Sequence, residues 1–356
     1  MSDAGRSTVL VTGGAGFIGS EIVRQLAERG DRVVAIDNLV NGTRENLADV
    51  LSDRVTLLES DIRDLDALAP YLRNARVVYH LACLGVRHSV HSPRENHDVN
   101  ATATLHLLGA SRDAGVPRFV YASSSEVYGT ARWVPMTEQH PTFPSTVYGG
   151  SKLAGECYTR AYFETYGYPT VVVRPFNTFG PRSHHEGDSG EVIPKFLLRC
   201  LAGRPMIVFG DGTQTRDFTF VSDTAAGIVL AGEEPRAVGQ TINLGSGREI
   251  TINELAHEVA AVARRPGAPI EHDRPRPGDV LRLYADMSHA RDLLGYAPKM
   301  TMAEGLAALL AWYRAKPETP EQLLEQEIVH NWRASSLAPA APAAGVAPSR
   351  AERHHR

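Results

Sequence analysis

The sequence predicts an α/β fold in which a doubly wound parallel sheet is followed by a smaller C-terminal α/β lobe. Short apolar runs that fit buried strands alternate with segments that fit helices through the first half of the chain. The first of these units also joins its strand to its helix through a glycine-rich turn. Because strands that alternate with helices are connected by right-handed crossovers, we expect them to lie parallel in one sheet.

The strand and helix units follow one another in order. The run VLV at 9–11 predicts the first buried strand, and the next segment predicts a helix with Ile22, Val23 and Leu26 facing inward. We place the first domain at residues 1–180, with 218–245 returning to pack on it. The later buried strands are predicted by DRVVAID (31–37), RVTLLESD (54–61), ARVVYHLA (75–82), RFVYASSS (118–125) and TVVVRPFN (170–177).

A smaller, mainly substrate-binding lobe is predicted at 181–330, where the alternation loosens. SHHEGDSG (183–190) predicts a polar loop, and Thr251 with Glu254 predicts a capping box that starts a helix. The polar loop carries histidines and carboxylates, but we expect it to cover the ligand and not to bind a metal. The tail at 334–356 is rich in Ala and Pro, and we predict that it is disordered.

Composition limits the classes of function. The chain has 356 residues, 43% hydrophobic and 22% charged, with a net charge of −4, which does not favour a nucleic-acid partner. No apolar run reaches the roughly 18–20 residues that span a bilayer, and the first residues lack a signal-peptide core. The three cysteines show no CxxC spacing and fit reduced thiols. We therefore expect a cytoplasmic protein without a membrane segment.

A dinucleotide site is predicted at the first strand–helix junction. Gly13, Gly16 and Gly19 form G-x-x-G-x-x-G, which lets the backbone approach a pyrophosphate at a helix N-terminus. Asp37 ends the second strand, where a carboxylate accepts hydrogen bonds from the ribose of NAD and repels the 2′-phosphate of NADP. The pattern therefore predicts a Rossmann-type domain that binds NAD. The other predicted cofactor contacts are Phe17, Ile18, Asn38, Asp61, Ile62, Leu81, Ala82, Tyr148, Lys152 and Pro175.

An oxidation centre is predicted on a helix further along the chain. Tyr148 and Lys152 are four residues apart, so they lie on the same helix face. An ammonium beside a phenol lowers the pKa of the phenol, which then accepts a proton from a sugar hydroxyl while hydride leaves for NAD. The SSSEVYG segment at 123–129 offers proton-relay hydroxyls and a carboxylate for the same reaction.

At these residues the chain resembles the extended short-chain dehydrogenase/reductase family, in its nucleotide-sugar epimerase/dehydratase branch. The resemblance implies a nucleotide-diphosphate sugar substrate and a homodimer formed by two long helices. It also implies that Tyr148 is the base, with Lys152 as its partner, and that Ser124 shares a hydrogen bond with the sugar O4. The matching motifs are TGGAGFIG, IDNLVNG, DIRD, HLA, ASSSEVYG, YGGSK, RPFNTFGPR, DGTQTRDFTFVSD, NLGSG and RPGDV.

The same resemblance gives expectations for the substrate contacts. Asn177 would hold a phosphate or the sugar, and Arg216 and Arg282 would clamp the diphosphate, a role that suits the guanidinium fork. Arg87 lies in a stretch similar to the substrate loop of hexuronate and hexose 4-epimerases. It either meets a sugar carboxylate or hydroxyl, or faces solvent.

The reaction depends on Glu126. In this branch a 4-epimerase needs no residue to remove a proton from carbon. Dehydratases and decarboxylases do need such a base, and this chain resembles them in having a Glu directly before VYG. Ser125 stands where many 4,6-dehydratases carry an Asp, and Glu126 can instead bind backbone or a sugar hydroxyl without chemistry. The other motifs look more epimerase-like, so we favour a 4-epimerase over a 4,6- or 5,6-dehydratase or a uronate decarboxylase. A non-catalytic dinucleotide-binding protein is the remote alternative.

Overall fold

The central feature of the computed structural model, which describes residues 7–187, 189–276, 279–330 and 332, is a parallel sheet. The chain forms strands β1 Thr8–Thr12, β2 Arg32–Asp37, β3 Val55–Glu59, β4 Ala75–His80, β5 Phe119–Ala122, β6 Thr170–Pro175, β7 Asn177–Phe179, β8 Met206–Phe209, β9 Thr215–Arg216, β10 Phe218–Phe220, β11 Thr241–Leu244, β12 Ile250–Thr251 and β13 Ile270–Asp273. Seven of them pair in the order β11-β6-β5-β4-β1-β2-β3, with every pairing parallel. The predicted doubly wound parallel sheet is confirmed.

Helices cover this sheet and build the second lobe. They are α1 Phe17–Glu28, α2 Leu65–Leu72, α3 Val86–His91, α4 Pro93–His97, α5 Ala103–Asp113, α6 Val147–Tyr166, α7 Val192–Leu201, α8 Val221–Glu233, α9 Ile252–Val262, α10 Ser288–Leu294, α11 Met302–Arg314 and α12 Pro320–Leu323. A single π-helical turn, Asp98–Thr102, leads into α5. No helix in the described ranges is both long and apolar enough to cross a membrane.

The strand order reverses beside β1, and this reversal positions the cavity described below. β1 lies between β2 and β4, so chain connections leave it toward both sides of the sheet. In open parallel sheets such a switch point opens a crevice at the carboxyl ends of the strands. Gly13, Asp37 and Ser123 directly follow or end strands at this edge.

Apolar packing fixes the helix next to the glycine turn. Ile22, Val23 and Leu26 of α1 are fully buried, as their spacing predicts, because they form one face of the helix against the sheet. α1 also packs against α8, and β11 after it completes the sheet. Residues 221–244 therefore contribute a helix beside α1 and an edge strand to the parallel sheet.

The second lobe contains short strand pairs and three helices around a separate apolar core. β8 pairs with β13 in parallel, and β9 pairs with β12 antiparallel. Helices α7, α9 and α11 supply the buried residues Phe196, Leu255 and Leu309 of this core. The predicted capping box at the start of α9 is confirmed, because Thr251 Oγ1 accepts from Glu254 N and Glu254 reaches back to Thr251 N. The predicted disordered tail at 334–356 lies outside the described residues.

Candidate active site

One large cavity of about 740 Å³ lies between the carboxyl edge of the sheet and the second lobe. It contains every residue predicted for the cofactor and for catalysis, and three of the four predicted for the substrate. The cofactor set is Gly13, Gly16, Phe17, Ile18, Gly19, Asp37, Asn38, Asp61, Ile62, Leu81, Ala82, Tyr148, Lys152 and Pro175. The others are Ser124, Ser125, Glu126, Arg87, Asn177 and Arg216.

The glycine turn is tightly packed and has no room for side chains. Gly13 has φ of 68°, and a Cβ there would lie 2.8 Å from the backbone N of Ala82. A Cβ on Gly19 would lie 2.0 Å from the carbonyl oxygen of Gly13. The backbone therefore forms the cavity wall itself, and the N-terminus of α1 faces the cavity with its free N–H groups.

Asp37 ties the turn to the second strand. Its carboxylate accepts hydrogen bonds from Ala15 N at 3.0 Å and from Leu39 N at 2.9 Å. Burial raises the pKa of Asp37, and these backbone donors act against that rise. The carboxylate thus helps to shape the turn while it lines the cavity.

Asp61 lies at the end of the same groove and is firmly ionised. Arg63 donates three hydrogen bonds to its carboxylate, one from the backbone N and two from the guanidinium, and Asn38 Nδ2 donates a fourth at 3.0 Å. The contacts with Arg63 lower the pKa of Asp61 to about 2. Asn38 and Asp61 therefore form a fixed polar edge for a ligand in this groove.

The oxidation centre lies where the groove widens toward the second lobe. α6 is capped by Thr146, whose Oγ1 accepts from Gly149 N, so Tyr148 sits in the first turn. Tyr148, Ser124 and Cys83 line the same part of the cavity, and both neighbours influence the pKa of the Tyr148 phenol. The Lys152 ammonium is buried beside it and donates to the carbonyl of Ala122 at 2.6 Å.

The electrostatics of Tyr148 differ from the expected lowering by Lys152. Burial raises the pKa of Tyr148 well above its ordinary range, and Cys83 and Glu126 raise it further, while the Ser124 hydrogen bond acts in the opposite direction. Burial also lowers the pKa of Lys152. The reason is that the lysine donates to a backbone carbonyl and both groups are desolvated. A further positive charge beside the phenol is needed to favour the phenolate.

A buried network holds the catalytic helix against the SSSEVYG segment. Glu156, one turn after Lys152 and fully buried, accepts from Ser123 Oγ at 2.9 Å and from Arg174 Nε at 3.0 Å. Arg174 also donates to Tyr128 OH at 2.7 Å, and Tyr128 in turn donates to Asn243. Because these groups flank Ser124 and Glu126 in sequence, the network fixes both relative to Tyr148.

Glu126 lines the cavity and is largely buried. Burial raises the pKa of its carboxyl, while Arg216, Arg87 and Arg276 oppose that rise. Its backbone N–H donates to Ser124 Oγ at 3.2 Å. No described residue donates a hydrogen bond to its carboxylate, so the structure gives no support to a purely backbone-binding role.

The substrate end of the cavity concentrates positive charge. Arg216 pairs with Asp279, and burial together with Arg87 lowers the pKa of Arg276 to about 10. Burial also lowers the pKa of Lys195 to about 8. Two buried atoms in this region, Arg276 Nε and Asn177 Oδ1, have no hydrogen-bond partner among the described residues. This end is therefore built for an anionic, hydrogen-bonding ligand.

The structure does not bring Arg282 to the cavity. Its side chain is 51% exposed and forms a two-point ion pair with Glu249 at 2.7 Å. Arg276 from the same arginine-rich stretch lines the cavity instead. Sequence reasoning also missed Glu191, which directly precedes α7, and Lys195 on that helix, and both line the cavity.

Comparison with known proteins gives one consistent group. The family model described as GDP-mannose 4,6 dehydratase matches residues 10–309. A UDP-glucose 4-epimerase from Mycolicibacterium smegmatis is 38% identical over 315 residues, covering 87% of this chain and 99% of that protein. UDP-glucuronic acid decarboxylase 1 from Arabidopsis thaliana is 35% identical over 316 residues, covering 87% of this chain and 70% of that protein. The dTDP-glucose 4,6-dehydratase DesIV from Streptomyces venezuelae, solved with NAD bound, has a TM-score of 0.81 and 34% identity, covering 86% and 97% of the two chains.

Proposed function

The chain belongs to the extended short-chain dehydrogenase/reductase family, in the branch of NAD-dependent enzymes that act on nucleotide sugars, and we propose that it is a nucleotide-sugar 4-epimerase. The observation that carries the proposal is that Tyr148, Ser124 and the buried Lys152 line the cavity together, at the junction between the glycine-turn groove and the charged substrate end. A sugar bound through its diphosphate at the charged end would present a ring hydroxyl at this junction.

The residues of the groove fit NAD. Gly13 and Gly16 leave bare backbone at the wall, the α1 N-terminus suits a pyrophosphate, and Asp37 suits a ribose with free hydroxyls. NAD held there would accept the C4 hydride and return it, and its oxidised nicotinamide carries the positive charge that the Tyr148 phenol needs. Lys152, fixed by Ala122, would orient the adjoining ribose.

In this mechanism Tyr148 takes the proton of the sugar O4, and Ser124 passes that proton or holds the oxygen in place. The product of this step is a 4-keto sugar. Once the ring has turned over in the cavity, Tyr148 returns the proton to O4 of the opposite configuration. Arg216, Arg276 and Lys195 would hold the diphosphate meanwhile, since guanidinium and ammonium groups bind phosphate strongly.

A second candidate function rests on Glu126. Its carboxylate lines the cavity near Tyr148 and receives no hydrogen bond from the described residues. Burial raises the pKa of Glu126, so its carboxylate is a stronger base and can take the C5 proton of a 4-keto sugar, which starts loss of the C6 hydroxyl in a dehydratase. In a uronate decarboxylase the same group would face the departing carboxylate.

A reaction in deuterated water distinguishes the two candidate functions. The enzyme is incubated with NAD and UDP-, dTDP- and GDP-sugars, and the products are read by mass spectrometry and NMR. A C4-inverted product of unchanged mass, without deuterium on carbon, supports the epimerase. Deuterium on carbon with loss of water or CO₂ overturns the epimerase in favour of the lyase. Glu126→Gln in the same assay retains epimerisation but abolishes a lyase reaction.

We further propose a cytoplasmic homodimer formed through α5 and α6. Tyr166 on α6 is 57% exposed, and Arg112 of α5 lies 4.4 Å from the centre of its ring. Such an exposed aromatic and cationic surface suits burial against a second copy. Mass photometry would give twice the chain mass, and a monomer at micromolar concentration would contradict the proposal.

A further inference from the structure

The last described segment contributes to the cavity although it lies beyond the part that the family model matches. That match ends at residue 309, whereas Glu327 and Val329 line the cavity. We call residues 324–330 together with Trp332 the C-terminal strap. It crosses the substrate end, opposite the groove that fits NAD.

Three contacts tie the strap to the lobe. Arg199 of α7 and Glu327 form a two-point ion pair at 2.9 Å, with side chains only 11% and 6% exposed. Lys195 Nζ donates to the carbonyl of Ile328 at 2.8 Å, and Gly187 N donates to the carbonyl of Gln326 at 2.8 Å. A paired, largely buried arginine and carboxylate holds its backbone firmly, because separating the pair would leave an uncompensated charge.

The end of the strap packs against two residues that line the cavity. The Trp332 ring meets the Phe209 ring edge-on, with centroids 4.6 Å apart. The guanidinium carbon of Arg276 lies 5.4 Å from the centre of each ring. Phe209 and Arg276 line the cavity, so Trp332 lies behind them as a brace. His330 adds a second brace through its hydrogen bond to Asp273 on β13.

We propose that the C-terminal strap is a positioning element for the nucleoside diphosphate half of the substrate. A flat ring beside a guanidinium and an ammonium suits an aromatic base joined to phosphates. The Arg199–Glu327 pair fixes the start of the strap, the Ile328 carbonyl fixes Lys195, and Trp332 packs against Phe209 and Arg276. The inference rests on the proposed function, because it assumes that a nucleoside diphosphate group occupies this end.

The test replaces Trp332 and measures binding of UDP, dTDP and GDP to the NAD-loaded full chain by calorimetry. We expect Trp332→Ala to weaken the best of these ligands about 5- to 50-fold and to raise KM by a similar factor, with kcat changed less than about twofold. Trp332→Phe, which keeps a ring against Phe209, should restore most of the affinity. The matched control is Trp133→Ala, since Trp133 is 50% exposed and does not line the cavity.

Two results would overturn the proposal. One is a Trp332→Ala protein that binds its best nucleoside diphosphate within twofold of the wild type. The other is a Trp332→Ala protein whose NAD occupancy falls together with its nucleotide affinity, which would mean a general role in folding. Failure of the proposed function looks different, because then the wild type itself binds none of the three nucleotides. If Trp332→Ala does not fold, Glu327→Gln is measured in the same way, with the same expected loss.

Discussion

The two ends of the cavity are built by different physical means. At the glycine-turn end the wall is backbone, and the buried carboxylate of Asp37 accepts hydrogen bonds from backbone N–H groups at 2.9 and 3.0 Å. At the substrate end the wall is charged side chains, and Arg276 Nε and Asn177 Oδ1 are buried without partners among the described residues. At the first end the buried carboxylate already has its partners and only backbone N–H groups are left for a ligand, whereas the second end holds desolvated polar side chains that a ligand would satisfy.

This difference predicts how each end fails. Where backbone fits backbone, an added methyl group disrupts the fit and so lowers both stability and cofactor binding. At the substrate end, where buried positive charges lack an anionic partner, removing one charge weakens substrate binding and leaves the fold intact or even more stable. Tyr148 lies between the two ends, so the loss of its hydroxyl alone should change either kind of binding little.

The largest effect is expected from Tyr148→Phe. Removing the phenolic oxygen removes the group that moves the O4 proton, so kcat should fall about 10²- to 10⁴-fold. NAD occupancy and substrate Kd should change little, because the ring itself is retained. Steady-state kinetics with calorimetric binding checks both, and Tyr166→Phe on the exposed end of the same helix should leave kcat unchanged. A variant with more than a tenth of wild-type kcat would remove Tyr148 from the mechanism.

Gly19→Ala should give the next largest effect and acts only on the glycine-turn end. The new Cβ would lie 2.0 Å from the Gly13 carbonyl oxygen, and rigid backbone has to move to admit it. We expect a loss of about 3 kcal/mol in the free energy of unfolding, with weaker NAD binding. Gly267→Ala, with open space around its Cβ, is the control. Equal melting temperatures of the two variants would show that the turn is not tightly fitted.

Arg276→Leu tests the substrate end against its neighbour in sequence, Arg282→Leu. Loss of a charged hydrogen-bond donor to a diphosphate costs about 1.5–3 kcal/mol, so KM should rise roughly 10- to 100-fold for Arg276→Leu. Arg282 is half exposed and paired with Glu249, so its replacement should change KM less than about twofold. KM values from initial rates decide between them. The reverse ranking would restore the diphosphate role first assigned to Arg282.

The same contrast explains what the sequence predicts well. Gly13, Gly16, Gly19 and Asp37 lie within one strand–turn–helix–strand unit, so their spacing alone predicts their position in space. The Tyr148 and Lys152 pair is equally local, since four helix positions bring the two onto one face. The direction of the Tyr148 pKa was not predictable, because it depends on burial and on Cys83 and Glu126 from other segments.

The substrate end could not be predicted in this way. Arg87, Glu126, Arg216 and Arg276 come from four distant segments, and only tertiary packing brings their charges close to one another. The choice between Arg276 and Arg282 turns on which side chain faces inward in an irregular stretch, where no helix or strand period applies. The C-terminal strap has no motif at all, and its role follows only from its contacts.

The smallest effect is expected at Glu191. Replacing it tests whether burial of ionisable groups at the substrate end lowers the stability of the ligand-free protein. Burial raises the pKa of Glu191 from an ordinary 4.5 to about 7, so the folded protein holds this proton more tightly than the unfolded chain. The stabilisation is therefore full below pH 4.5 and is lost as the pH rises through about 7. Glu191→Gln stays neutral, so its melting temperature relative to wild type should rise by roughly 2 °C between pH 5.5 and 8.5. Glu28→Gln, at the exposed end of α1, should show no such trend. A difference that is flat with pH would mean that Glu191 ionises freely, and that this end of the cavity carries less desolvated charge than its lining indicates.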